Sequence, residues 1–255
     1  MSLINKIAVQ AYRTFLRGGC GESEQSFHQN LSLLRDLVSR LSCHDVNFDA
    51  SLVGYASRFD PDCGLAPVTF IDLWKDDHFS MSIFVLKPGT RLPLHDHPGM
   101  YGVIRVLHGH VSVFSYSLLE RKCGDAFQPL ADYGESYSVN KGDVFTSQRI
   151  SSLSVDINSE PIVLTPTDGN IHEIRATDSA AAFFDILAPP YDEHRYGHHR
   201  CHYYKEIPVS ESSTEPFSSS HERKLCSLLC IPAPLDYWTD YAPYVGPAID
   251  PYQTL

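Results

Sequence analysis

The 255-residue chain lacks three things that would have settled its class early. No apolar run approaches the 18 or so residues of a membrane span. There is no basic patch: 20 Lys and Arg stand against 31 Asp and Glu, a formal charge of -11, which argues against nucleic acid as the main partner because phosphate binding wants clustered cations. There is also no paired cysteine spacing. Seven cysteines, an odd count without a secretory signal, fit a reducing compartment better than a disulfide scaffold, so a cytoplasmic location is expected. What is present is 43% apolar composition, enough for a substantial core in one large domain or two small ones.

Residues 3–16 place Leu3, Ile4, Ile7, Ala8, Ala11, Tyr12, Phe15 and Leu16 at helical spacing, and residues 31–41 do the same with Leu31, Leu34, Leu37, Val38 and Leu41. Two amphipathic helices therefore come first, joined by residues 18–26. The first carries Lys6, Arg13 and Arg17 and no acid before Glu22, as mitochondrial transit peptides do; a helix docked on a folded domain explains the apolar stripe equally well. From Pro67 the period becomes two. Phe79, Met81, Ile83 and Val85 alternate with Ser80, Ser82 and Phe84 up to the Pro88-Gly89 turn, and residues 103–107 and 111–116 form the next strands. A polar loop runs to residue 136. Short strands follow at 137–139, 144–145, 151–155, 162–164, 171–174 and 181–187, a spacing that reads as an antiparallel sandwich or barrel. Residues 209–221, rich in Ser, Thr and Glu, read as a solvated linker.

The chemistry centres on Gly89-Thr-Arg-Leu-Pro-Leu-His95-Asp-His97-Pro-Gly99. In a strand, side chains at i and i+2 share a face, so both imidazoles can aim at one metal ion. Imidazole suits Fe, Zn, Cu and Ni alike. His108-Gly109-His110 has the same spacing but straddles a glycine where a tight turn belongs, and reads as a pair of surface residues at a hairpin. A third ligand is His172, at the head of a strand after Pro166-Thr-Asp-Gly169-Asn-Ile.

Together these make the two-part signature of the cupin barrel. The resemblance implies a mainly β fold, a double-stranded β-helix of jelly-roll type with the amphipathic helices at its amino-terminal end. Residues 1–45 would form the helices and 46–255 the barrel of a single structural unit. Where cupins carry a ligand glutamate, this chain has Tyr101 or Gly102. Three neutral imidazoles leave the charge of a divalent ion uncompensated, which favours an anionic substrate ligand such as a thiolate. A closed structural zinc site would want a fourth protein ligand.

Pro93-Leu-His95-Asp-His97-Pro-Gly-Met100, Leu164-Thr-Pro166 leading to Asn170-Ile-His172, Phe184-Asp185-Ile-Leu-Ala-Pro-Pro-Tyr191 and Cys201-His-Tyr203-Tyr204 resemble the thiol dioxygenase family of cysteamine (2-aminoethanethiol) dioxygenases and plant cysteine oxidases. The resemblance implies one Fe(II) per chain, held by His95, His97 and His172. It further implies insertion of both atoms of O2 into the thiol of cysteamine or of an amino-terminal cysteine, giving a sulfinic acid, an essentially irreversible product suited to an oxygen-dependent signal. By the same likeness Tyr203, Cys201 and Asp185 are catalytic candidates, and Asp185, Tyr191 and Tyr101 candidates for the substrate pocket. Tyr203 resembles a tyrosine over the iron that Cys201 can be joined to by a thioether. Asp185 could receive the substrate amine or orient a ligand imidazole, or simply cap a backbone turn. The histidine-rich stretch His194 to His202 offers a separate metal cluster as a lesser reading. No membrane partner and no second subunit are expected.

Overall fold

The computed structural model describes residues 1–16, 23–53, 64–123, 126–129, 139–192, 199–207 and 224–253. Helix α1 (Leu3–Phe15) begins where the Ser2 side chain accepts the Asn5 N–H, and buries Ile4, Ile7, Ala8, Ala11 and Phe15 along one stripe. Helix α2 (Glu24–Val38) is capped by Ser23 and buries Leu34 and Val38. The cap corrects the expected connection at 18–26: the Ser23 side-chain oxygen accepts the Ser26 N–H and starts the helix about seven residues before the apolar periodicity shows it. Among the described residues no helix is long and apolar enough to cross a membrane.

The strands are β1 (Val68–Lys75), β2 (Ser80–Leu86), β3 (Arg91–Asp96), β4 (Tyr101–His108), β5 (His110–Cys123), β6 (Ala126–Pro129), β7 (Val144–Asp156), β8 (Ile162–Leu164), β9 (Ile171–Arg175), β10 (Ala181–Ala188), β11 (Tyr203–Ile207), β12 (Lys224–Ile231) and β13 (Thr239–Tyr241). One sheet runs β13-β1-β2-β10-β4-β8. In the other, the order β5-β7-β12-β11-β3-β9 closes on itself because β9 also pairs with β5. This is the mainly β cupin barrel expected, with the two helices laid on it.

Alternation assigns every face. In β2 and β10, Met81, Ile83, Val85, Ala182, Phe184 and Ile186 pack with the helices, while Leu86, Ala181 and Phe183 turn inward to meet Val113, Val155 and Ile174 of the second sheet. The closed ring holds a third core of Leu94, Tyr116, Leu118, Phe145, Ile171, Tyr204, Cys226, Leu228 and Cys230. At about 25 cal/mol per Å² of apolar surface, each fully buried Ile, Leu or Phe stabilises by about 2 kcal/mol.

The second sheet departs most from the sequence reading. Strands expected at 111–116, 144–145 and 151–155 are two long ones, β5 and β7, with register shifts at Ser115/Tyr116 and Leu118/Glu120 that bend β5 around the ring. Such shifts break period two, so the alternation stops being readable where the strand does not. Strands β11 to β13 carry no clean alternation and were not anticipated. Except for Val139, residues 137–139 lie outside the described residues, as does the linker at 209–221.

The two ends of the described chain meet at the β1–β2 turn. Asn5 Oδ1 accepts the Asp250 N–H at 2.6 Å and Asn5 Nδ2 donates to Gln253. The Tyr252 hydroxyl and the Trp74 indole N–H both donate to Asp76 Oδ2, with the Tyr252 ring edge-on to Tyr12 and Trp74.

Candidate metal centre

His95, His97 and His172 stand with ring centroids 4.6 to 4.8 Å apart, and each offers a ligand nitrogen within 4.8 Å of the others. The register of β3 is what brings them there. A shift between Leu92 and His95 puts Leu92 in the inter-sheet core, Leu94 in the ring core and His95 back between the sheets, directly across from His172 on β9. All three imidazoles are buried.

Their orientation is set by backbone carbonyls. His95 Nδ1–H donates to Pro93 O at 2.7 Å and His97 Nδ1–H to Asn170 O at 3.1 Å, which leaves Nε2 of each ring as a lone pair. Nδ1 of His172 is buried with no partner among the described residues, a costly state for a polar atom unless a ligand relieves it. Burial pushes the pKa of His95 down, and burial together with the neighbouring imidazoles holds His97 and His172 well below the usual range. Three neutral nitrogen donors around one point fit a divalent first-row metal.

Asn170 clamps the hairpin from behind. Its Nδ2 donates to His97 O at 2.7 Å and Thr165 O at 3.0 Å, while its Oδ1 accepts the His97 N–H at 3.1 Å. The absence of a ligand carboxylate also has a steric basis: a Cβ on Gly102 would lie 2.9 Å from Leu164 Cδ1 and 3.3 Å from Leu187 Cδ2, so two leucines occupy the room a glutamate would need. At the other His-x-His, Gly109 takes a φ of 66° in the β4–β5 hairpin and His108 is exposed.

The remaining candidates fall in two places. Asp185, on β10 opposite Ser82 and Ile104, shares the inward face with Phe183 and is 6% exposed. Its Oδ1 has no partner among the described residues, and burial raises its pKa to about 7. Tyr191, whose ring lies 5.5 Å from that of His97, donates to Asp96 O at 2.5 Å, and burial above all, with smaller contributions from Cys201, Asp96 and Asp185, holds its hydroxyl well above the usual range. Tyr203 is paired in register with His95, with ring centroids 6.5 Å apart, and the Cys201 thiol contacts both Tyr191 and Tyr203. Burial lifts that thiol to about 12, so it stays protonated at neutral pH. Tyr101 lies elsewhere. Its ring packs on Phe27 at 4.9 Å beneath the helices, because alternation along β4 turns Gly102 and Ile104, not Tyr101, to the inside; it is corrected from pocket wall to helix contact.

His194 and His198 of the histidine-rich stretch lie outside the described residues. His199 donates to Pro98 O and His202 to Asp96, two separate anchors rather than one metal point. Sequence reading passed over Asp96 and Tyr237. Asp96 stands inside the His-x-His as its variable letter, and Tyr237, 6.1 Å from Tyr203, is brought in by the carboxy-terminal segment; neither has a local signal.

A family model described as PCO_ADO matches residues 37–249. The chain is 35% identical to 2-aminoethanethiol dioxygenase of Mus musculus, over 98% of this chain and 97% of the relative. It is 31% identical to plant cysteine oxidase 1 of Arabidopsis thaliana, over 82% of this chain and 66% of the relative. Among solved structures, a cupin superfamily protein from Desulfitobacterium hafniense covers 55% of this chain and 87% of its own, at 13% identity and a TM-score of 0.32.

Proposed function

The chain belongs to the PCO_ADO family, and from that premise we propose that it is a non-haem iron thiol dioxygenase acting on an aminothiol, either cysteamine or the amino-terminal cysteine of a polypeptide. The net reaction is R–SH plus O2 giving R–SO2H: sulfur loses four electrons, dioxygen gains them, and both oxygens end on sulfur. The observation that carries the reading is the set of three buried neutral imidazoles with no carboxylate among them, together with buried Asp185 on the inward face of β10, one of whose oxygens has no partner among the described residues. Iron(II), one per chain and held by His95, His97 and His172, would supply coordination of thiolate and O2 and the redox capacity to join them.

The protein's own residues do the rest. With no carboxylate ligand, the site's charge is balanced by a substrate thiolate. Asp185 receives the substrate ammonium, which in cysteamine and in an amino-terminal cysteine alike lies two carbons from sulfur. That ion pair satisfies the orphaned oxygen and shifts Asp185 towards its ionised form. Tyr191 closes the side next to His97. Cys201 and Tyr203 line the side next to His95, and because the Cys201 thiol stays protonated it does not compete with the substrate as an anion. The described cysteines Cys43, Cys201, Cys226 and Cys230 are free thiols, which supports a reducing compartment such as the cytoplasm. The barrel completes its core within one chain, which supports a monomer.

The deciding experiment is anaerobic reconstitution with Fe(II), followed by mass spectrometry of cysteamine and of a peptide with an amino-terminal cysteine before and after air is admitted. Gain of two oxygens on the peptide makes the protein an oxygen-dependent modifier of proteins. Gain on cysteamine alone makes it an enzyme of sulfur metabolism. Gain on neither removes the thiol dioxygenase reading in favour of a metal-dependent cupin acting on a non-thiol substrate or a non-enzymatic cupin module.

A further inference from the structure

His95 and His97 face the space between the sheets, so Asp96 between them faces the interior of the closed ring, where it is fully buried. Every polar atom of Asp96 is engaged by the segment that carries Tyr191, Cys201 and Tyr203. Oδ1 accepts the His202 N–H at 2.7 Å, Oδ2 accepts the Tyr204 hydroxyl at 2.8 Å, and His202 Nδ1–H reaches both oxygens at 3.1 to 3.2 Å. The backbone joins in: Asp96 N–H donates to His202 O at 3.2 Å, and Asp96 O accepts from Tyr191. Residues 202 and 204 flank Tyr203, and strand alternation sends their side chains to the opposite face from its own. Holding 202 and 204 inside the ring therefore fixes Cys201 and Tyr203 on the outside, beside His95.

We propose that Asp96 is a positioning residue that sets the distance between the histidine centre and the Cys201–Tyr203 wall by binding the chain neighbours of that wall. It does not touch substrate. It rests on the reading of the three-histidine site as the place of chemistry, although its test does not depend on turnover. The histidines themselves are oriented by Pro93 and Asn170, so loss of the Asp96 contacts moves the wall and leaves the metal ligands in place.

The test is the rate of iodoacetamide alkylation at individual cysteines, read by peptide mass spectrometry, in Asp96→Ala and in the milder Tyr204→Phe, which removes one hydroxyl. Losing a hydrogen bond to a charged group speeds Cys201 alkylation about tenfold in Tyr204→Phe, and more in Asp96→Ala. In Tyr204→Phe, Cys226, in the ring core against Ser147 O, and Cys43, under the helices against Leu107 O, are the internal controls and stay at wild-type rates. Co(II) affinity and its visible spectrum also stay at wild-type values. A parallel rise at all three cysteines would mean general loosening and would overturn the proposal, as would an unchanged rate at Cys201 in Tyr204→Phe. Failure of the wild-type protein to oxidise any thiol would instead remove the dioxygenase reading, and would leave the alkylation pattern interpretable.

Discussion

Asp96 and Asp185 are the same side chain buried in the two walls around the three histidines, and their surroundings treat them oppositely. Asp96 has a donor for each carboxylate oxygen and further bonds through its backbone. Asp185 keeps an oxygen without a partner among the described residues, and burial drives its pKa to about 7. A saturated carboxylate has nothing left to offer a ligand and serves the architecture. An unsaturated one destabilises the fold, and that is reasonable only where a ligand completes it.

The comparison breaks first if the centre between the two walls is not a metal site. His172→Ala is expected to reduce both Fe(II) content and thiol oxidation to the level of the metal-free protein, measured by metal analysis and oxygen uptake. Next in size, Asp96→Ala strands the His202 and Tyr204 donors in the ring and is expected to cost about 3 kcal/mol, a loss of about 10 °C in Tm by calorimetry. A smaller cost than at a half-exposed aspartate would erase the contrast.

Asp185→Asn sharpens it, because stability and function should move apart. Its folded pKa is raised, so the stability it allows is present below the unfolded value near 3.8 and is lost as pH rises to about 7. Relative to Asp185→Asn, the wild type should lose up to about 1.4 kcal/mol per pH unit across that window and then level off, as seen in denaturant titrations at several pH values. The same variant should raise KM for cysteamine about tenfold, the worth of one charge-assisted hydrogen bond. Smallest of all, Gly102→Ala presses its new methyl on the mobile ends of Leu164 and Leu187 and should cost about 1 kcal/mol, with metal content intact.

What could be read in advance follows the same divide. His95, His97 and His172 were legible because two ligands at i and i+2 of a strand, plus a third at the head of another, are a local pattern. Asp96 was not, since its partners His202 and Tyr204 lie 106 and 108 residues downstream. The face of Tyr101 was misread for a related reason: on β4 a shift of one residue exchanges inside for outside, and nothing in Tyr101-Gly102 states which of the two points in until Ala188 and Leu187 are paired against them. The helical stripes and strands β2, β4, β8 and β10 of the first sheet kept their period and were found. The ring lost its period at the β5 register shifts, which are also what allow it to close.

The joining of Asn5 to Asp250 and Gln253 has a bearing on how the protein comes off the ribosome. Helix α1 is made before the sheet it covers, yet Asn5 finds its partners 245 and 248 residues later, and Tyr12 packs on Tyr252 only then. Throughout synthesis its apolar stripe must wait for the sheet it covers, and its polar corner for the far end of the chain. Until that sheet forms, the nascent polypeptide carries an exposed apolar helix face of the kind that promotes aggregation and that chaperones shield.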